Sequence, residues 1–168
     1  MPMEYGDGAL TDSSTMLGRD WPCLRQFGVF LENRVGVLND LLRHLESEDL
    51  RVMGLSIVDT IDSALIRLIV NDYERARERF DLSNFTVFET DIIGVELPDE
   101  TQPLVRICTA LLQAEVSIHY SYPLLFRRSG RGAVAVYVDD IDAGLKALSE
   151  GGLNIVTEGS LSEDDEFL

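Results

Sequence analysis

The chain has 168 residues, 45% hydrophobic and 26% charged, which suits a soluble globular protein of one ordinary domain or two small ones. Its 30 acids against 14 bases leave a net charge of −16, which repels phosphate backbones and anionic lipid and sets nucleic-acid and membrane roles aside. Cys23 and Cys108 lack metal-ligand spacing, no apolar run is long enough to span a bilayer, and no basic-then-apolar leader is present, so the expectation is a cytoplasmic protein.

Residues 1–22, rich in Gly, Ser, Thr and Asp, read as a mobile arm. The predicted elements follow in order: strand 24–31, helix 37–47, strand 51–59, strand 63–70, helix 72–80 and strand 85–90. After them come strand 91–97, helix 103–114, strand 116–124, strand 132–138, helix 140–150 and strand 153–159. Leu38, Leu41, Leu42 and Leu45 carry the i, i+3, i+4, i+7 spacing of a helix face packed on a core. Leu104, Ile107, Cys108 and Leu111 carry it again, which makes Cys108 a small core residue. Asn71-Asp72 and Asp139-Asp140 each close an apolar strand and supply a helix N-cap, because their side-chain oxygens accept an unpaired first-turn N–H. Asp62-Ser63 and the Ser129–Gly132 stretch supply hairpin turns, and Gly151-Gly152 a helix stop. Residues 161–168, with Glu163, Asp164, Asp165 and Glu166, read as a solvated acidic tail.

The order repeats itself with a period of about 66 residues: Phe27–Leu31 matches Ile93–Leu97, and the two helix faces match position by position. Each copy is βαββαβ, the first over 23–90 and the second over 91–160. That order is the ferredoxin-like arrangement, so the fold class is α+β: two tandem units, each an antiparallel sheet with its helices on one face. The other sheet face is left open and must be wet or covered, which predicts a homodimer.

Between the first strand and the first helix stand Asn33, Arg34, Val35, Gly36, Val37 and Leu38. A glycine there either makes a tight turn, with Asn33 capping the helix, or lets a ligand carboxylate approach the N–H groups of a helix N-terminus. The βαββαβ order, its repetition and this turn together resemble the ACT domain family, small regulatory modules that usually bind amino acids and whose turn motif is Asp-x-Pro-Gly-x-Leu. Asn33, Gly36 and Leu38 stand at motif positions, while Asn33 replaces the acid and Val35 the proline. In the second copy Asp99 keeps the acid, but Gln102 stands where the glycine belongs. The resemblance implies a non-catalytic, allosteric regulator that binds an amino acid or similar small ligand at the interface between units, with no cofactor. Gly36 and its neighbouring N–H groups would hold the carboxylate, Asn33 would fix orientation, and Val35 and Leu38 would line the side-chain end. The regulated enzyme would be encoded elsewhere, or the target would be the protein's own oligomer.

The stretch Ser117–Tyr122 alternates, with Ser117, His119 and Ser121 on one face and Ile118, Tyr120 and Tyr122 on the other. By analogy with Met53, Leu55 and Ile57, the Ile/Tyr face is expected to meet the helices and the Ser/His face to look to the open side. Family ligands often lie between one unit's turn and a neighbour's strand, so the resemblance makes Ser117, His119 and Ser121 candidates to complete the site; a wet polar sheet face is the alternative. His44, between Arg43 and Glu46, is expected to face solvent. Arg127, Arg128 and Arg131 form a basic hairpin tip, read either as a solvated turn or as a contact for an acidic patch on a partner. No nucleophile with a partner, no zinc set and no distinct carboxylate pair stands out, which weighs against a small enzyme on this fold. The main rival to a ligand sensor is an oligomerisation or docking module that binds a protein partner and no small ligand, and Gln102 favours it.

Overall fold

The computed structural model describes residues 23–162 except Ser129, and the side chains of Phe126 and Arg127 lie outside it. The N-terminal arm and the acidic run Glu163–Glu166 also fall outside the described residues. β1 (Leu24–Glu32), β3 (Ser63–Val70) and β2 (Val52–Asp59) pair antiparallel in that order. Every second residue of β1, Phe27, Val29 and Leu31, meets Leu41 and Leu45 of α1 (Val37–Leu45) and Tyr73, Ala76 and Phe80 of α2 (Tyr73–Asp81) in one buried cluster. β4 (Thr86–Glu96), α3 (Pro103–Gln113), β5 (Ile118–Arg128), β6 (Arg131–Val138), α4 (Ile141–Glu150) and β7 (Ile155–Val156) repeat the order, and α5 (Glu158–Ser162) follows. Here Ile93 and Val95 of β4 and Val134, Val136 and Val138 of β6 pack on Ile107, Leu111, Leu145 and Leu148. The repeat extends to the capping of α2 and α4. Asp72 (φ −130°, ψ 94°) accepts from the Arg75 N–H at 3.1 Å, and Asp140 (φ −129°, ψ 98°) from the Ala143 N–H at 3.0 Å.

The two copies do not form two separate sheets. Where the pattern predicts strands 85–90 and 91–97, β4 runs uninterrupted, because its sequence holds no breaker between the halves. Its Thr86–Ile92 portion pairs with β1, Ile93–Glu96 pairs with β6, and Gly94-Val95 also pairs with β7. At the other side β2 meets β5 at Gly54↔Leu124, so the order β1-β3-β2-β5-β6-β4 closes back on β1 as a barrel-like ring of six strands with β7 outside it. The copies come close at Gly54: a Cβ there would stand 2.9 Å from Leu124 Cδ2 and 3.1 Å from Tyr122 Cε2. The predicted strand 153–159 is a two-residue bridge followed by α5, so Leu161 and Ser162 are helical rather than part of a tail.

Closure turns the faces expected to be open toward each other. Leu24, Met53 and Ile69 from the first copy and Ile92 from the shared strand β4 meet Tyr122, Leu124, Ala133, Ala135 and Val156 from the second, with Leu161 of α5, in a third buried cluster. Much of the apolar surface that was the reason to expect a second chain is therefore covered within this one. Gln26 is buried there and satisfied on both sides of its amide: Nε2 donates to Thr90 Oγ1 (3.0 Å) and Tyr120 Oη (2.5 Å), and Oε1 accepts from Tyr122 Oη (2.7 Å). Cys108 is exposed rather than a core residue, and Leu104 is 55% exposed; the buried stripe of α3 is Ile107 and Leu111 alone. Cys23 is buried in the second copy's core.

Candidate functional site

Gly36 is the N-cap of α1, with φ 86° and ψ −7°. That left-handed backbone alone selects glycine. A Cβ on Gly36 would meet nothing within 4 Å, so open space stands before the glycine itself. No side chain caps α1. Asn33 does not take that role: its Nδ2 donates to Asp59 Oδ1 (3.0 Å) and to the Thr60 carbonyl (3.5 Å), which ties the turn to the β2–β3 hairpin. Arg34 donates to Asp40 Oδ2 at 3.2 Å and lies 3.9 Å from Glu32 Oε2. Val35 is fully exposed, while Val37 and Leu38 pack on the first copy's core.

Beside this turn is a cleft of about 640 Å³, lined on the turn side by Glu32, Arg34 and Val37, on the strand side by Phe30 and Leu31, and across from them by Leu82–Thr86 and His44. The lining combines both signs of charge at the turn with the apolar side chains of Phe30, Leu31, Val37, Leu82 and Phe85 and the polar groups of His44, Ser83, Asn84 and Thr86. Two of these groups had no signal in the sequence. His44 is half-buried rather than facing solvent; its Nε2 donates to the Arg79 carbonyl (2.8 Å), Arg79 Nη1 donates back to the His44 carbonyl (3.1 Å), and the ring stands edge-on to Phe85. The Leu82–Phe85 loop belongs to the cleft only because α2 packs beside α1, a tertiary relation that no local pattern announces.

Ser117, His119 and Ser121 do not line this cleft. The faces of β5 are also the reverse of the expectation. A register shift between Ile118 and Tyr120 marks a bulge, after which Tyr120, Tyr122 and Leu124 stand opposite Tyr137, Ala135 and Ala133 and look into the ring, while Ser121 stands opposite Val136 on the helix-bearing side. β2 bulges at the matching place, between Val52 and Gly54, which sends Met53 inward and Leu55 to the helices. Tyr120 stacks on Tyr137 (centroids 5.0 Å apart, planes 9°), and the Arg67 guanidinium stands 3.6 Å over the Tyr120 ring. His119 lies 5.8 Å from Tyr137, ring to ring.

The second copy's turn is built differently. Gln102 caps α3 with φ −128°, not left-handed, and its side chain makes no cap bond. Arg106 on α3 pairs with Glu100 and also donates to the Gly151 carbonyl at 2.7 Å, which straps the turn to the end of α4. Arg128 and Arg131 pair across the β5–β6 hairpin and are exposed. Among the described residues no three His, Cys, Asp or Glu side chains converge as metal ligands do, and no helix is long and apolar enough to cross a membrane.

A family model described as an ACT domain pair matches residues 23–164. No curated protein matches the chain. Among solved structures, protein BT0572 from Bacteroides thetaiotaomicron is 24% identical, with a TM-score of 0.76 over 86% of this chain and 99% of that one. The ligand-free regulatory subunit of aspartate kinase from Thermus thermophilus is 12% identical, with a TM-score of 0.54 over 77% of this chain and 93% of that one. At such identities the likeness concerns the fold alone.

Proposed function

The chain belongs to the ACT domain pair family, and from that premise we propose that it is a non-catalytic regulatory protein that binds an amino acid or similar small zwitterion at the turn and cleft of its first unit. The observation that carries this reading is the open space before Gly36, at the start of a helix with no side-chain cap and beside a cleft of about 640 Å³. First-turn N–H groups and the positive end of the helix dipole suit a carboxylate. Glu32 stands where an α-amino group could be met, and Phe30, Val37 and Phe85 suit an apolar side chain. Ser117, His119 and Ser121 are exposed and lie away from this cleft. A ligand with unequal affinity for two packings of the ring would change what a regulated enzyme, or a second copy, meets.

Thermal unfolding against the twenty amino acids, each at millimolar concentration, tests this. A ligand at 100 times its Kd adds about 2.7 kcal/mol, which for a chain of this size raises Tm by roughly 5–10 °C. The rise is expected from one chemical class of uncharged side chain and is expected to vanish in Gly36→Gln. No rise with any amino acid would reject the reading.

A further inference from the structure

The repeat supplies an internal control for what α3 needs in order to fold. α1 and α3 occupy matching places and bury matching residues, Leu41 and Leu45 in one and Ile107 and Leu111 in the other. Their outward positions differ in kind. α1 and its C-cap present Asn39, Arg43 and Glu46 to water, as an ordinary solvated helix face does. At the same places α3 and its flank present Val105, Thr109 and Leu112, with Val105 58% and Leu112 75% exposed. Leu104 and Cys108 are exposed too, whereas their counterparts Leu38 and Leu42 are half-buried. Leu104, Cys108 and Leu112 make one i, i+4, i+8 ridge flanked by Val105, and nothing in the fold calls for it.

Charge indicates what covers that ridge. In a chain of net charge −16, α3 (PLVRICTALLQ) has no acidic residue, while α1, α2, α4 and α5 each have at least one. Its single charge, Arg106, is engaged by Glu100 and the Gly151 carbonyl. Around a two-fold axis the same residues face each other, so an acid near the axis would stand against its own copy. α3 places none there, and Glu100 on the flanking turn is paired with Arg106, which suits self-association of an acidic protein.

We propose that the chain forms a homodimer through α3, packed antiparallel on the α3 of a second copy with Cys108 at the two-fold axis. Leu104 of one copy then meets Leu112 of the other, and the i±4 ridges interlock. The groove of about 600 Å³ beside the second turn, lined by Glu100–Gln102, Val105, Arg106 and Thr109, borders this contact and receives its rim. The two copies of the fold thereby divide their work: the first keeps an open glycine turn, and the second, with Gln102 and a strapped turn, assembles. This inference does not depend on a ligand at Gly36.

The test is sedimentation velocity on the full chain, wild type against Val105→Asn with Leu112→Glu, which restores the character of the first helix at exposed positions. Surface exchanges of this kind change stability by only about 0.5 kcal/mol, so circular dichroism and Tm should hold while the wild-type dimer becomes a monomer. Oxidation with copper phenanthroline should join two wild-type chains covalently, and Cys108→Ser should abolish the product, Cys23 being buried. A wild type that is monomeric at every concentration, or a dimer that survives the double exchange, would overturn the proposal.

Discussion

Gly36 and Tyr122 are positions where one atom or one proton decides the outcome. At φ 86° a side chain on Gly36 is strained even though nothing crowds it. Gly36→Ala should therefore cost about 1–2 kcal/mol, and Gly36→Asn less, because Asn tolerates the left-handed region. Urea denaturation would check the order glycine, asparagine, alanine; equal stabilities would show that the turn relaxes. Tyr122 tests the buried network. Tyr122→Phe removes the donor to Gln26 Oε1 and leaves that oxygen buried without its partner, a loss of about 1–3 kcal/mol. Burial raises the Tyr122 phenol above its ordinary value and raises Tyr120 as well. A raised phenol means that the folded chain holds its proton where the unfolded chain has lost it. The stabilisation is thus complete below about pH 10 and fades as pH rises further, by up to about 1.4 kcal/mol per pH unit for each such tyrosine. Denaturation midpoints between pH 9 and 11.5 should fall more steeply for wild type than for Tyr122→Phe; parallel slopes would mean that Tyr122 ionises freely in the fold.

Elements are the scale at which the sequence was most legible, and the reason is local. Helix periodicity, strand alternation and the two cap pairs each express themselves within about ten residues, and the repeat doubled every such signal. Asp72 and Asp140 show this: each closes an apolar strand in the sequence, and each accepts an N–H three residues on. Each replaced by alanine should cost about 1 kcal/mol. Their near-identical backbone geometry predicts equal losses, which paired denaturation curves would measure; a clearly unequal pair would mean that the units have diverged in how they hold their second helices. What escaped was set by single residues of register. One bulge residue at Met53 and another at His119 invert the parity of β2 and β5, so Tyr120 and Tyr122, expected toward the helices with Ile118, line the ring, while Ile118 stays opposite Val138. Period-2 reasoning has no memory of an inserted residue. Cys108 failed for a related reason: an i, i+4 spacing cannot say on which side of the stripe the core ends. At the candidate site the glycine turn was visible, whereas His44 and Leu82–Phe85 arrive only through packing of α1 with α2.

The closed ring makes a claim about the whole molecule that the tandem repeat alone does not. Two ferredoxin-like units on a tether would each own a core and could unfold in turn. Here β4 serves both copies, the third cluster draws residues from both, and α5 of the second copy reaches back to the first. Arg25 on β1 grips Glu158 of α5 through two bonds, Nε to Oε1 at 2.7 Å and Nη2 to Oε2 at 2.8 Å, while its guanidinium lies 3.6 Å over the Tyr73 ring of α2. Leu161, one turn on, is buried in the shared cluster. The chain should therefore unfold in one cooperative step. Native-state hydrogen exchange should give the same opening free energy for the Ile69 amide in the first copy and the Val136 amide in the second. Leu161→Ala, a truncation expected to cost about 2–5 kcal/mol, should lower both by the same amount, although Leu161 belongs to the second copy alone. A double-mutant cycle on Arg25→Gln and Glu158→Gln should return a coupling of about 1–3 kcal/mol, again felt at both amides. If Leu161→Ala loosened Val136 and left Ile69 untouched, the copies would be separate folding units. A ligand at Gly36 would then have no route through the ring to the surface of α3.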